Sequence, residues 1–385
     1  MAKYSFFSLV IVCLTLSACQ TTRQMPIDYL VPAEVSFPSE LRRVAIVNNM
    51  SETPENKLIK SDSSKKDGEI ARDVVYYNGD AKIATESLAE SIAQGNYFEE
   101  VIICDSALRA NDKSARESTL SQEEVKELTT QLNADLLISL ENLQLKATKV
   151  IQYLREFRCY YGSIDLQVHP TLKIYLPNRK GPMLTLNPKD SIFWEEYQTE
   201  DAYNIHSVKE VSFLHAHLIK EQDMIAEASE FAGTIPVKHL LPYWKSAMRT
   251  LYTNGSVDMR DAASYVHRNS WDKALKLWER TFKNSKKDKN KMHAALNIAL
   301  YYETKDDIEQ AITWAKNAQD LAGKMENMDE RSKERIDIND IPKFMMTTFY
   351  LEELQERKAG LATLNMSHRW DTYHLLHSFI LQIFQ

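Results

Sequence analysis

Two stretches in the second half of the chain repeat one another at a fixed offset, and that repetition limits the fold more tightly than any other feature. Ala262-x2-Tyr265-x8-Ala274-x3-Trp278 superposes on Ala299-x2-Tyr302-x8-Ala311-x3-Ala315, with Ala318 just beyond, at a period of 37 residues. Antiparallel helices approach closely only where small side chains occupy the crossing, and the tyrosine fills the space between one hairpin and the next. Trp271-Asp272-Lys273-Ala274 and Asp307-Ile308-Glu309-Gln310-Ala311 open the second helix of each pair. The expectation is two helical hairpins, about 257–284 and 292–321.

The period exceeds the ~34 residues of a tetratricopeptide repeat, and the lysine-rich run 283–291 accommodates the difference as a solvated connection. Two hairpins are fewer than the roughly three a self-standing solenoid needs. Cover is therefore expected from helices in 207–252 and 344–354. The helical domain is set at 201–360, with 361–385 as an extension of little structure.

The first half has a different rhythm. Val44-Ala45-Ile46-Val47 reads as a strand, and the charged stretch from Ser51 to Asp73 as a long, mobile connection. Ala81, Ala84, Leu88 and Ile92 recur at helical spacing up to Gly95, and Val101-Ile102-Ile103 is a second strand. Ser121 with Glu124 forms a capping box that opens a helix bearing Val125, Leu128 and Leu132, before a third strand over 134–140. From Ile164 to Leu176 apolar and polar residues alternate as in a half-buried strand, and Pro170 inside it predicts an edge position or a bulge. Asn178-Arg179-Lys180-Gly181 predicts a hairpin turn into a strand around 191–197. The fold class is α+β: an N-terminal α/β sandwich-like domain (mixed sheet with helices) over 39–200, then an all-α domain of tetratricopeptide-like hairpins.

At the N-terminus an apolar run closes on Leu16-Ser17-Ala18-Cys19. Lys3 supplies the positive start, the run is too short to span a bilayer, and Ala18 is the small residue required before a cleavage point. Residues 1–18 read as a bacterial lipoprotein signal cleaved after Ala18, with Cys19 as the lipidation site. Val12 before Cys13 does not fit a small-residue cleavage pocket. Several acyl chains, at about 0.8 kcal/mol per buried methylene, make a lasting anchor. Residues 19–38, with Pro26, Pro32 and Pro38, read as the lipidated tether. No acidic residue follows Cys19 in Gln20-Thr21-Thr22-Arg23, which favours an outer-membrane protein facing the periplasm. In that oxidising compartment Cys104 and Cys159 are a possible disulfide, worth roughly 4 kcal/mol, or else two buried thiols.

A net charge of −7 gives no basic field for nucleic acid. His215 and His217 are two apart on a helical segment and point to opposite sides; His374 and His377 share a face without a third ligand; no metal and no cofactor are expected. Glu195 and Glu196, adjacent on a strand, face opposite sides and cannot flank one bond. Walker, G-x-G-x-x-G, G-x-S-x-G and C-x-x-C motifs are absent, and the chain is read as lacking a catalytic motif.

The lipobox, the proline-containing entry before Val44, and Pro242-Tyr243-Trp244 with Arg249 and Tyr252 leading into Trp271-Asp272-x-Ala274 resemble a group of uncharacterised tetratricopeptide-containing envelope lipoproteins of the Bacteroides type. The likeness runs from Cys19 to about Arg357, and the extension with His368, His374 and His377 departs from it. It implies an architecture and no chemistry. In element order alone the α/β half also resembles small domains of curli-secretion lipoproteins and of lipoprotein activators of peptidoglycan synthases, an analogy of fold. The expected role is a membrane-anchored scaffold whose helical repeats dock a segment of an envelope protein. A glycan-binding lipoprotein would instead expose coplanar aromatics among Trp244, Tyr252, Tyr265, Trp271, Trp278, Tyr301, Tyr302 and Trp314. An envelope enzyme with an unrecognised site is the third reading.

Overall fold

The computed structural model describes residues 21–35, 37–51, 58–61, 69–104, 106–111, 119–199, 217–327 and 341–366. Ala18, Cys19, His215, His368, His374 and His377 lie outside the described residues. Two compact units are present: Ala33–Tyr243, and a helical unit that joins the N-terminal segment up to Pro32 with Trp244–Met366. The α+β class is as expected.

In the first unit an eight-stranded mixed sheet is built around β2 (Arg43–Asn48), which pairs in parallel with β5 (Glu100–Ile103) on one edge and β6 (Leu136–Leu154) on the other. Val44 to Val47 are all fully buried, because both faces of this strand are covered. Helix α1 (Ala81–Gln94), capped by Asp80, packs on one face over Val44 and Ile46. Helix α2 (Gln122–Gln131) lies on the other, where Val125 meets Ala45, Val47 and Leu137. Ser121 and Glu124 form the reciprocal capping box.

Strand β6 changes partners along its length. Leu136–Leu140 pair with β2, whereas Gln144–Gln152 pair with β4 (Glu69–Asn78), itself bordered by β3 (Leu58–Ser61). The stretch expected to be a connection up to Asp73 therefore contains two strands. Val75 and Tyr77 supply the buried, alternating positions of β4, a pattern that starts only after the charged residues end. Along its other edge β6 pairs with β7 (Cys159–Tyr175), which in turn pairs with β8 (Leu184–Leu186) and β9 (Asp190–Thr199). Pro170 sits where its missing N–H costs no bond: beside a register shift between Leu140 and Asn142, and in the gap between the β8 and β9 pairings. Gly181, at φ +73°, makes the expected turn.

This unit does not close near residue 200. Helix α3 (Glu221–Thr234) and the short α4 (Val237–Leu240) belong to it, since Met224, Ala228, Ala232 and Leu240 complete the core under the sheet. Gly233 permits the α1–α3 crossing: a Cβ there would meet Leu88 N at 2.6 Å and Ala84 O at 2.7 Å.

Cys104 and Cys159 are both free thiols, so the candidate disulfide is absent. Cys104 bonds backbone to Ile46, beside Ile138, while Cys159 pairs with Leu154 at the far end of β6. That separation is roughly 50 Å along the strand, whereas a disulfide needs Cα atoms within about 7 Å.

The helical unit holds α5 (Val257–His267), α6 (Trp271–Asn284), α7 (Asp288–Thr304), α8 (Ile308–Glu326) and α9 (Lys343–Met366). Ala262, Ala274, Trp278, Ala299, Ala311, Ala315 and Ala318 are fully buried in its helix seams, with Tyr265 and Tyr302 packed beside them. Every residue from Ala294 to Leu300 is buried, which makes α7 the central helix. Cover comes from α9 on one side. On the other it comes from a ribbon, β1 (Thr22–Val31) with β10 (Tyr243–Tyr252), in place of the helices expected over 207–252. The tether expected over 19–38 thus contains a strand, whose alternate residues Met25 and Ile27 pack on the helical core. In the lysine-rich run, Lys289 and Lys291 already belong to α7. Residues 361–366 continue α9, with Leu364 buried. No helix among the described residues is long and apolar enough to cross a membrane.

Two outcomes follow from this packing. Gly233→Ala should cost the first unit about 1–3 kcal/mol by overpacking, read as a lowered urea midpoint. Alkylation of the denatured, unreduced chain should label both Cys104 and Cys159; a mass lower by two protons with neither labelled would contradict the separation above.

Candidate functional site

In the helical unit, buried charge and an open cavity meet at β10. Leu251 turns one face of that strand into the core, and Arg249 on the same face reaches a set of ionised groups. Its guanidinium bonds both oxygens of Glu303 at 2.9–3.1 Å and Glu353 at 2.8 Å. Glu303, fully buried at the end of α7, also accepts from the Tyr350 hydroxyl at 2.8 Å and from Arg357 at 3.4 Å. Arg357 continues to Asp306, and Glu353 accepts from Tyr29 at 2.7 Å with Lys245 at 3.5 Å. Arg249 stacks over the Tyr350 ring at 4.9 Å and Arg357 over Tyr29 at 4.7 Å.

Burial opposes the Arg249 charge, but the bonds and charge of Glu303 and then Glu353 outweigh it and raise its pKa. Desolvation works against the Glu353 carboxylate as well, and Arg249 and Tyr29 still hold it below the usual range. Tyr350 is raised well above its ordinary value by burial and by Glu303. Such a network ties β1, β10, α7 and α9 together through groups that all have partners, so removing one leaves an uncompensated buried charge.

Above it lies a groove of about 240 Å³. Met292, Leu296 and Leu300, one turn apart on α7, form its floor; α9 supplies a wall with Met346, Phe349 and Tyr350, and β10 the facing one. Met248, Met346 and Phe349 are 61%, 52% and 53% exposed, so the rim is apolar and open. His293, next to Met292, stacks on Tyr252 with centroids 4.0 Å apart and planes 16° from parallel. Burial, then the charges of Lys289 and Lys343, lower its pKa to about 4.

None of the nine repeat residues, Ala262 to Ala318, lines this groove; they hold the helices together. Of the eight aromatics weighed for a glycan platform, Trp244 is exposed and Tyr252 lines the groove, while the others are packed at least in part. Glu195 and Glu196 lie on opposite faces of β9, with Glu195 accepting from Tyr161 and Tyr197. Among the described residues no cluster of three or more His, Cys, Asp or Glu could hold a metal ion. Sequence reasoning passed over Glu303, Glu353 and the groove methionines. The available signal was Glu303 closing the run Ala294–Tyr302, apolar but for Asn297, a carboxylate at a position that helical spacing turns inward.

A second buried polar cluster sits in the α/β unit at the carboxyl end of β2. Glu141 accepts from Asn49 at 2.8 Å and from Tyr175 at 3.1 Å, and Arg109 joins Asn49 to Glu124. Burial raises the Glu141 pKa in spite of these bonds.

Glu303→Ala should destabilise the helical unit by about 3–5 kcal/mol, because Arg249 and Arg357 lose their shared counter-ion. The His293 pKa is lower folded than unfolded, so the unfolded chain binds more protons between about 6.5 and 4 and stability falls as pH falls through that window. After allowance for partial contact with solvent the loss is about 2 kcal/mol. His293→Phe, which keeps the stacking, should remove that part of the pH dependence of amide exchange in α7.

No curated protein matches the chain. The matches found cover both halves: the domain of unknown function DUF6340 over residues 260–356, within the helical unit, and a longer one that ends with β10. By that longer match, over residues 41–252, the chain belongs to the family of the domain of unknown function DUF8603.

Proposed function

We propose that this is a lipid-anchored cell-envelope protein, held by Cys19 in the outer membrane facing the periplasm, that acts as a scaffold by binding a segment of an envelope protein in its helical unit. The observation that carries the reading is the groove between β10 and α9: an apolar floor of Met292, Leu296 and Leu300, with Met248, Met346 and Phe349 exposed at its rim. Methionine is flexible and polarizable, which suits a surface that adapts to a partner's side chains. The cavity is smaller than the roughly 300 Å³ at which drug-sized ligand sites begin, so an inserted side chain suits it better than a cofactor. The buried pair Arg249–Glu303 beneath makes the walls rigid, which lowers the entropy lost on binding.

The helical hairpins built on Ala262, Ala274, Ala299 and Ala311 support a tetratricopeptide-like description of the unit, and the lipobox ending in Cys19 supports the anchor. The glycan reading has less support: of the eight aromatics that would have to form an exposed coplanar platform, Trp244 alone is exposed.

A photoreactive phenylalanine analogue at Met346, in cells making the full chain, is expected to crosslink one envelope protein. The same analogue at exposed Lys316 on α8 is expected not to, and Cys19→Ala should reduce the yield at least tenfold. Equal crosslinking from both positions, or recovery of glycan alone, would overturn the scaffold reading.

A further inference from the structure

The β1–β10 ribbon is an incomplete sheet, and its open edge runs along the groove. Thr253 N–H donates to Thr21 at 3.0 Å, and the side chains of Gln24 and Thr250 bond at 3.0 Å. These contacts run in opposite order along the two strands, as in an antiparallel pair. In such a ladder successive residues direct their N–H and C=O groups alternately to the two sides. Arg249, Leu251 and Thr253 therefore face β1, while Met248, Thr250 and Tyr252 face outward.

At Tyr252 the outward groups are satisfied by a side chain. Asn297, fully buried on α7, accepts from Tyr252 N–H at 2.9 Å and donates to its carbonyl at 2.7 Å. One amide thus occupies the place of a third strand for a single residue. At Met248 and Thr250, among the described residues, no strand pairs with that edge.

The cavity lies along the same edge. Met248, Arg249 and Thr250 are consecutive in an extended strand and point alternately to its two faces, yet all three line the cavity, so it follows the strand's side. Its 240 Å³ equals the share of about eight water molecules, room for one or two side chains.

Charge narrows the occupant. Glu353, the carboxylate in the lining, is taken by Arg249, Lys245 and Tyr29. Glu326 nearby accepts from the first backbone N–H groups of α9, those of Lys343 and Phe344. The Lys343 ammonium, exposed at one end of the groove, has no carboxylate partner among the described residues. A carboxylate on the incoming segment would complement it.

We propose that the outer edge of β10 at Met248 and Thr250 accepts an extended peptide of a partner protein as a third strand, with an apolar side chain over Met292 and Leu296 and a carboxylate beside Lys343. Main-chain bonds to the edge supply affinity, while the cavity and Lys343 select the sequence. This rests on the groove being the binding site of the scaffold reading and specifies how it binds.

The test uses the full chain and a pool of random octapeptides with free C-termini, the peptide enriched by panning being the probe. Binding should slow amide exchange at Met248 and Thr250 at least tenfold and leave Arg249 and Leu251 unchanged. Lys343→Glu, at an exposed position, should weaken the probe at least tenfold. A probe that Met346→Asp abolishes but that leaves Met248 and Thr250 unprotected would overturn strand addition while the groove reading stands. No enriched peptide at all, with crosslinking from Met346 still seen in cells, would overturn the proposal in the same way; loss of both would remove the groove reading too.

Discussion

The ion pair of Arg249 with Glu303 sets the arrangement of the helical unit. A strand residue and a helix residue meet through three bonds in a buried place, and Tyr350, Arg357 and Glu353 complete the coordination of the two charges. Desolvating two charges costs several kcal/mol per ion unless every remaining lone pair and proton finds a partner. Because those partners come from β10, α7 and α9, only one placement of the strand against the helices satisfies them all. The groove is a consequence of that placement. Its walls, β10 and α9, flank an apolar floor of Met292, Leu296 and Leu300 on α7.

In the α/β unit the corresponding constraint is the length of β6. Its first residues complete a parallel, doubly covered sheet with β2, where burial on both faces favours a near-continuous apolar run, here interrupted by Ser139. Its later residues serve an antiparallel sheet with β4 and β7, where alternation is enough. Leu136 to Leu140 are accordingly buried without exception, while Gln144, Lys146 and Thr148 alternate with Leu145 and Ala147. One strand carries two patterns because it has two kinds of neighbour.

Where a segment's own side chains determine its structure, the sequence was readable. The capping box at Ser121 and Glu124, the apolar strand from Val44 to Val47 and the turn at Gly181 depend on residues a few positions apart. The small residues of the hairpins, Ala262 and Ala299 among them, carry the same information at longer range, because a helix crossing excludes larger side chains wherever it falls. The place of α3 is not legible for the opposite reason: its face of Met224, Ala228 and Ala232 fits any apolar surface, and nothing local says which. The candidate site was the least legible part. Arg249, Glu303 and Glu353 lie far apart in the chain, and each alone reads as an ordinary charged residue.

What the sequence determined by itself is the locally coded part, namely β2, α1, α2 and the hairpins built on Ala262 and Ala299 with the apolar face each presents, together with an N-terminal pattern of apolar run, small residue and Cys19. Those properties follow from local backbone preference and side-chain periodicity. The tertiary structure decided which faces meet. It recruited the proline-containing segment before Val31 as a strand, since Met25 and Ile27 had a core to cover and β10 an edge to pair. It also kept Cys104, bonded to Ile46 of β2, far from Cys159 at the turn of the β6–β7 hairpin. It left the other edge of β10 beside a methionine-lined groove, because Asn297 completes the pairing at Tyr252 alone. Such outcomes depend on distances between remote parts of the chain, and no local pattern encodes them.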